Sequence, residues 1–592
     1  MYRTRVAVIL LVGAVLAACT NQPVDAPAPP PPVVATKAPN PAPTKLVVGV
    51  DALPAGFNPH LIADSSPVTA AVAGLVLPSV FRFDAQGVAH LDPTIATSAT
   101  VTSTAPFTVS YELNLQASWT TNAPIAAEDF VYLWEQMRSQ PGVVDAAGYR
   151  MITDVRSRAG GKAVDVVFSQ PYPAWRQLFT DLLPAHLLKD APGSWVGATV
   201  GGLPASAGPF KIISIDQGRG EVQLARNDLY WATPTVLDQL VLRKVDATTL
   251  AAGLMSGDVN VAIPEADPSQ RTTLGTVLPA PHLQTAPQPT VTQLGMRGDS
   301  GPVSDPRVRQ AIAAIVDRVA VRAVAAPESL PADALGLAPS EPGYTPTAPP
   351  RPDANAAAAL LTSAGWTRDS TTGRWSVGGA PVQLTIGAAA ERPEDLRVAE
   401  AVAGQLRAAG IAVTVVSPSA VDLFSKATVP ATLPSGSPTP SPTPTPTAAP
   451  SATPTPTVVP STTGPPVPAG SAQVDLMVFP RSIGGDLGTE LSSDYGCPLP
   501  SALVREPPRS TTGFCFPALQ PLLDELLSPS PRPDTAATVE KILWQQMPVL
   551  PLFQPVSLVV STAAADALTG IGPGPIGTGP LTGAETWRAP KS

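Results

Sequence analysis

Ser206-Ala207-Gly208-Pro209-Phe210-Lys211 opens a stretch, 206–231, from which the rest of the chain can be read. Gly-Pro followed by the apolar run Ile212-Ile213-Ser214-Ile215 is a sharp turn feeding a strand. Glu221-Val222-Gln223-Leu224-Ala225 alternates as a second strand, and Arg226-Asn227-Asp228-Leu229-Tyr230-Trp231 closes the unit. The composition predicts a hairpin whose polar end carries two aromatics. Taken alone, that is a structural aromatic corner, an ordinary use of Tyr and Trp.

Composition narrows the class. A chain of 592 residues allows two or more lobes around a large core. A net charge of −9, with only 14% charged residues, leaves no basic footprint for nucleic acid. Proline, at 74 residues, is well above the usual share of roughly 5% and gathers in two tracts. At the N-terminus Arg3 and Arg5 precede an apolar run, Val6 to Leu16, that ends in Leu16-Ala17-Ala18-Cys19. That pattern is a secretory signal, 1–18, too short for a membrane span. Leu-Ala-Ala-Cys resembles the bacterial lipobox, which implies acylation of Cys19 and a lipid anchor on the extracytoplasmic face of the cell membrane. An ordinary signal peptide with an incidental Cys is the alternative. Residues 19–44, rich in Pro and Ala, cannot bury a core and read as an extended tether. With Cys19 so used, Cys497 and Cys515 remain. Outside the cytoplasm an isolated pair is expected to be bridged, at about 3 kcal/mol of stabilisation in the chain-entropy model.

The body begins with the strand Leu46–Val50 and a loop, Leu53 to His60, carrying Phe57-Asn58-Pro59. Tyr111 to Leu115 alternates as a strand and leads through Trp119-Thr120-Thr121-Asn122 into Ala126-Ala127-Glu128-Asp129-Phe130. Phe130, Leu133, Trp134 and Met137 are spaced as one helix face. Glu128-Asp129 is a candidate carboxylate pair, but adjacent helical residues diverge, and carboxylates in a first turn favour the positive end of the dipole. Capping is the better account. Trp175 to Leu183 is predicted as a helix. Leu250 to Asn260 reads as a short helix stopped by Gly257. Ser304-Asp305-Pro306-Arg307-Val308-Arg309-Gln310-Ala311-Ile312 starts another, with a cap and Pro in its first turn. Leu360 to Trp366, the helix Glu391–Ala409 before the strand Ile411–Val416, and Pro548-Val549-Leu550-Pro551-Leu552-Phe553 complete the order. Pro430 to Pro468, a Ser/Thr/Pro repeat without periodicity, is expected to be disordered.

In this order the segments resemble family 5 extracellular solute-binding proteins, the oligopeptide- and nickel-binding components of ABC importers. Gly-Pro-Phe-Lys ahead of Arg-Asn-x-x-Tyr-Trp, the strand–Trp119 loop–helix segment, and Asp-x-Arg-Val-Arg-Gln-Ala-Ile are the residues that carry the likeness. It implies an α/β, two-lobed periplasmic-binding-protein fold of the large oligopeptide-binding type, with mixed sheets and a hinge. The implied organisation is lobe I over 45–290 with a subdomain at roughly 76–199, lobe II over 291–548 interrupted by disordered 430–470, and a return to lobe I with a C-terminal tail over 549–592. It implies a ligand in an interlobe cleft lined by Phe57, Asn58, Trp119 and Asn122, and by the segment after Val478.

That segment departs from the family. Peptide-binding members have a Trp-x-x-Asp-Tyr-like run there, whose Asp pairs with the peptide amine; here Phe479-Pro480-Arg481-Ser482-Ile483-Gly484-Gly485-Asp486 stands in its place. An anionic or polyhydroxylated ligand could use Arg481 and Asp486. With the lipobox and the Ala/Pro/Val-rich composition, this resembles a branch of actinobacterial lipoproteins tied to phosphatidylinositol mannoside handling and lipoarabinomannan assembly. Two readings of function stand: an importer subunit for peptides working with an ABC permease, or a lipoprotein serving envelope synthesis through a glycolipid or a cell-envelope glycosyltransferase.

No enzyme chemistry is asked for. Gly572-Pro573-Gly574-Pro575-Ile576-Gly577 matches a dinucleotide fingerprint in letters only, because two prolines remove N–H groups a pyrophosphate needs. His60, His90, His186 and His282 are too scattered for metal-ligand spacing. No cofactor is expected.

Overall fold

The computed structural model describes residues 44–84, 87–192, 194–278, 283–426, 474–561, 581 and 583–587. The signal, Cys19, the tether up to 43, the Ser/Thr/Pro repeat, His282 and the Gly572–Gly577 run lie outside the described residues.

The opening hairpin forms as expected. Phe210–Asp216 pairs antiparallel with Glu221–Arg226, and a bulge between Ile212 and Ser214 turns Ile213 outward. Its turn shows why glycine stands at 208. The N–H groups of Ala207 and Gly208 donate to Val76 O, at 2.8 and 3.1 Å, closing the end of the helix Pro67–Val76. A Cβ on Gly208 would collide with the Leu75 carbonyl oxygen. Asn227 then locks the far end: its Nδ2 donates to Gly208 O at 2.9 Å, and its Oδ1 accepts from Leu229 N at 3.1 Å. Trp231 Nε1 donates to Thr94 O at 2.8 Å, so the aromatic corner ties the hairpin to the subdomain.

This hairpin is the edge of a seven-stranded sheet in the order Leu283–Pro287, Val556–Ser561, Val261–Ile263, Lys45–Val50, Gln239–Lys244, Glu221–Arg226, Phe210–Asp216. Lys45–Val50 lies parallel to both its neighbours and is buried on both faces from Leu46 on, as its unbroken apolar run requires. A four-stranded antiparallel sheet, Ala96–Thr104, Phe107–Leu113, Ala163–Phe168 and Ile152–Arg158, forms the subdomain. The helix Ala127–Ser139 covers it, with Phe130, Leu133, Trp134 and Met137 buried.

The second lobe is a six-stranded mixed sheet: Leu330–Pro331, Val549–Gln554, Thr290–Met296, Leu476–Ser482, Gln383–Gly387, Ala412–Val416. Asp305 caps its helix Pro306–Ile315 through Arg307 N at 2.8 Å. Cys497 and Cys515 are bonded. The chain passes between the two sheets at 288–289 and again at Pro555, later than the 549 boundary expected from the sequence. Gln288 N donates to Pro555 O at 2.8 Å. The Gln554 side chain, wholly buried, donates to Gln288 O at 2.9 Å and to Ser340 Oγ at 2.7 Å. The two crossings are thus stitched into one joint.

Trp175 to Leu183 is a correction. Only Trp175–Gln177 turns, as a 3₁₀ segment, because Phe179 and Asp181 take left-handed backbone angles, φ 59° and 47°. Left-handed residues end a right-handed helix. The break lays Phe179 into the core against Phe130 and Tyr149.

Candidate functional site

A cavity of about 430 Å³ lies between the lobes. The first lobe supplies the loop Pro59–His60, the start of the helix Pro67–Val76, and the irregular segment after Trp175. The second supplies Ser482 to Asp486 and the first turn of the helix Leu487–Tyr495.

His60 is positioned by its neighbours in sequence and space. Its N–H donates to Asn58 Oδ1 at 3.0 Å, its ring stacks on Trp195, and its Nε2 is 3.0 Å from Asp181 O. A carbonyl only accepts, so Nε2 carries the proton. Burial holds this imidazole below its ordinary pKa, against the pull of the Asp181 carboxylate. Asp181 presents its carboxyl from a left-handed turn; burial pushes its pKa up, against the pull of His60 and Arg82. Val144 N donates to His60 O at 3.0 Å and so sets the next residue, Asp145, at the wall. Asp145 has φ 52° and is pushed up to about 7 by burial and by Asp494 nearby.

Across the floor the lobes touch. Tyr172 OH and Thr489 Oγ1 are 2.7 Å apart, and Asp486 N donates to Gln177 Oε1 at 2.7 Å. Ala147 N donates to Ser493 Oγ at 3.0 Å. The lobes are therefore closed on each other at this side.

Of the six ligand-binding residues expected from the sequence, Asp486 alone reaches the wall of this cavity. Its carboxylate caps the helix Leu487–Tyr495, accepting from Thr489 N at 3.0 Å and Thr489 Oγ1 at 2.9 Å. Arg481 is buried behind the wall. Its guanidinium donates to Glu490 at 2.6 Å, to Asp494 at 2.7 Å and to Gly336 O, leaving no charge to offer a ligand. It borders a separate small cavity of about 40 Å³. Phe57 is in the core. Asn58 is fully buried, with Nδ2 donating to Trp195 O at 3.1 Å. Trp119 is buried and donates to Asp129 Oδ2 at 3.3 Å. Asn122 is an exposed turn residue with φ 64°. None of these four borders the cavity.

The residues that sequence reasoning missed are His60, Asp145, Tyr172, Gln177, Asp181, Tyr230 and Glu490. Two had a local signal, since His60 follows Asn58-Pro59 and Tyr230 stands in the opening stretch. The others are brought in by packing. Among the described residues no group of three or more His, Cys, Asp or Glu side chains could hold a metal ion. No helix among them is long and apolar enough to cross a membrane.

Two mixed sheets joined by paired crossings, closing on a cavity, define the class: a two-lobed solute-binding protein. The chain matches the bacterial extracellular solute-binding proteins, family 5 Middle, over residues 90–455. It belongs to that family, whose members bind solutes outside the cytoplasm and are not enzymes. It is 36% identical, over 96% of both chains, to a Mycobacterium tuberculosis protein described as a probable monoacyl phosphatidylinositol tetramannoside-binding protein, LpqW. It is also 25% identical, over 46% of its length and 47% of the relative's, to the oligopeptide-binding protein OppA of Mycobacterium bovis. Among solved structures, the Bacillus subtilis oligopeptide-binding protein AppA, in complex with a nonapeptide, has the same fold at TM-score 0.68 and 18% identity, covering 93% of this chain and 100% of AppA. Campylobacter jejuni NikZ, in complex with Ni(L-His), matches at TM-score 0.65 and 17% identity, covering 92% of this chain and 99% of NikZ.

Proposed function

We propose that this protein is anchored through acylated Cys19 and binds an envelope glycolipid of the phosphatidylinositol mannoside type in its interlobe cavity, acting in phosphatidylinositol mannoside and lipoarabinomannan synthesis. The carrying observation is the end-to-end relation to LpqW, 36% identical over 96% of each chain. The tether would hold the body off the membrane while the cavity engages a headgroup, and a cell-envelope glycosyltransferase is the partner such a role calls for. Ligand binding would shift the lobes toward the closed arrangement, as a ligand preferring one state must.

A second reading rests on OppA, similar over less than half the chain: a peptide-binding subunit delivering to an ABC permease. Thermal unfolding with purified phosphatidylinositol mannosides and with a mixed peptide pool separates the two. Ligand at 100 times its dissociation constant stabilises by about 2.7 kcal/mol, read as a rise in the melting midpoint. A rise with the glycolipid alone supports envelope synthesis; a rise with peptides alone overturns it in favour of import.

A further inference from the structure

The charged groups at the cavity wall are unequal. Asp145, Asp181, Asp486, Glu490 and Glu585 line it, against one arginine, Arg82, and His60, whose charged form burial disfavours. Arg82 is half-exposed and paired outside the cavity lining: its Nε donates to Asp92 Oδ2 at 2.8 Å. Behind the wall, Arg481 is saturated by Glu490 and Asp494. The Asp145 carboxylate, by contrast, makes no hydrogen bond or close ion pair with the described residues; Arg481 behind the wall attracts it through space, Asp494 repels it, and it lies in the first lobe opposite Glu490 of the second. Hydroxyls and an amide share the lining: Ser65, Ser66, Thr69, Tyr172 and Gln177.

We infer that the interlobe cavity selects against negative charge, so that the buried portion of the ligand is neutral and polyhydroxylated, or cationic, and any phosphate it carries stays outside. The inference deepens the proposed function and rests on it for the site. An anion entering the cavity would find Arg82 as the one guanidinium among the described lining residues, already paired with Asp92, and would approach five carboxyls, three of them raised by burial. Burial raises Asp145, Asp181 and Glu490 alike. A further negative charge raises them more, and like charges brought together in a desolvated site cost binding. Carboxyls and hydroxyls instead pair with sugar hydroxyls, as acceptors when ionised and as donors when protonated. For a glycolipid of the proposed kind, the mannoses would occupy the cavity, and the phosphate and acyl chain would face its mouth.

The test uses the full chain and two matched pairs of probes, titrated calorimetrically: α-mannobiose against its phosphate monoester, and trilysine against triaspartate. The neutral or cationic member is expected to bind at least about tenfold more tightly, a gap ordinary for like-charge juxtaposition. Asp145→Asn, at a carboxylate without a hydrogen-bond partner among the described residues, is expected to leave the melting midpoint in place and narrow the gap. If the phosphate ester or triaspartate binds as tightly as its counterpart, the charge rule is overturned. If only the peptides bind, with trilysine ahead, the charge rule stands and the glycolipid reading falls. Binding by neither pair overturns both. A gap that Asp145→Asn leaves unchanged removes Asp145 from the device.

Discussion

Asp129 shows how a single side chain organises its surroundings. It stands in the first turn of the helix Ala127–Ser139, where the sequence suggests a cap, and it does more. Its carboxylate accepts from Ala126 N and Ala185 N, both at 3.0 Å, and from Trp119 Nε1 at 3.3 Å. One residue thereby joins the helix start, the Trp119 loop and the segment at 185. Asp129→Ala would orphan three buried donors and is expected to destabilise by about 3 kcal/mol or more, seen as a lower urea midpoint with unchanged slope; a loss under 1 kcal/mol would contradict this account. Gly208 is the second single-residue case. Gly208→Ala forces a Cβ into the Leu75 carbonyl, in a turn where both backbones are fixed by hydrogen bonds. The expected cost is roughly 1–3 kcal/mol, read in the same experiment.

At the scale of elements, the strand Leu476–Ser482 and the helix Leu487–Tyr495 are held together by the buried pair Arg481–Glu490. Arg481→Ala would leave the Glu490 carboxyl buried without its cation, and since burial already pushes it up to about 8 it would take a proton; losing the pair is expected to cost roughly 3–5 kcal/mol. A double change to Met and Leu is expected to recover most of it, because well-packed apolar groups replace a buried pair at little loss. Comparing the three melting curves checks this; equal losses in single and double variants would refute it. The joint between lobes is a second such element. Gln554→Ala would leave Gln288 O and Ser340 N without partners, loosening the crossing by roughly 1–3 kcal/mol. Faster amide exchange confined to 288–289 and 339–341 is the expected signature.

The whole molecule responds to pH where the lobes meet beside that joint. In a crevice of about 130 Å³, Asp51, Asp64 and Glu265 of the first lobe face Glu391, Glu394 and Asp395 of the second. Two arginines bridge: Arg392 to Ser65 O at 2.6 Å and Arg397 to Glu265 at 2.8 Å. Burial pushes Asp51 up to about 6, and Glu394 adds to the shift. Burial likewise raises Asp64 to about 6, with Glu391 adding. Glu265 and Glu394 are raised for the same reason. A carboxylate whose pKa is raised in the closed form binds more protons there, so the stability it contributes is present at low pH and lost as pH rises through about 6. Closure should therefore strengthen on acidification, by up to roughly tenfold per pH unit for each proton taken up. Asp51 is exposed, so solvent screening reduces its share. Small-angle scattering across this range should show a smaller radius of gyration on the acid side, and Asp51→Asn with Glu394→Gln should flatten the trend. A radius independent of pH in the unaltered chain would rule the device out.

Much of the architecture is local information. The turn at Gly208-Pro209, the alternation of Glu221 to Ala225, the cap at Asp305 and the face of Phe130, Leu133, Trp134 and Met137 each follow from neighbours a few residues apart, and their order along the chain placed the protein in its family. The site is different. His60, Asp145, Tyr172, Asp181, Asp486 and Glu490 share one cavity, yet they come from both lobes and from segments hundreds of residues apart. Arg481 illustrates the limit. Its charge is plain in the sequence, but its two carboxylate partners face it only once the following helix packs back on the strand. Local pattern determines which elements form. Which side chains meet, which charges are cancelled and which are left facing the ligand is decided by the tertiary structure, because burial and Coulomb interaction act through space and not along the chain.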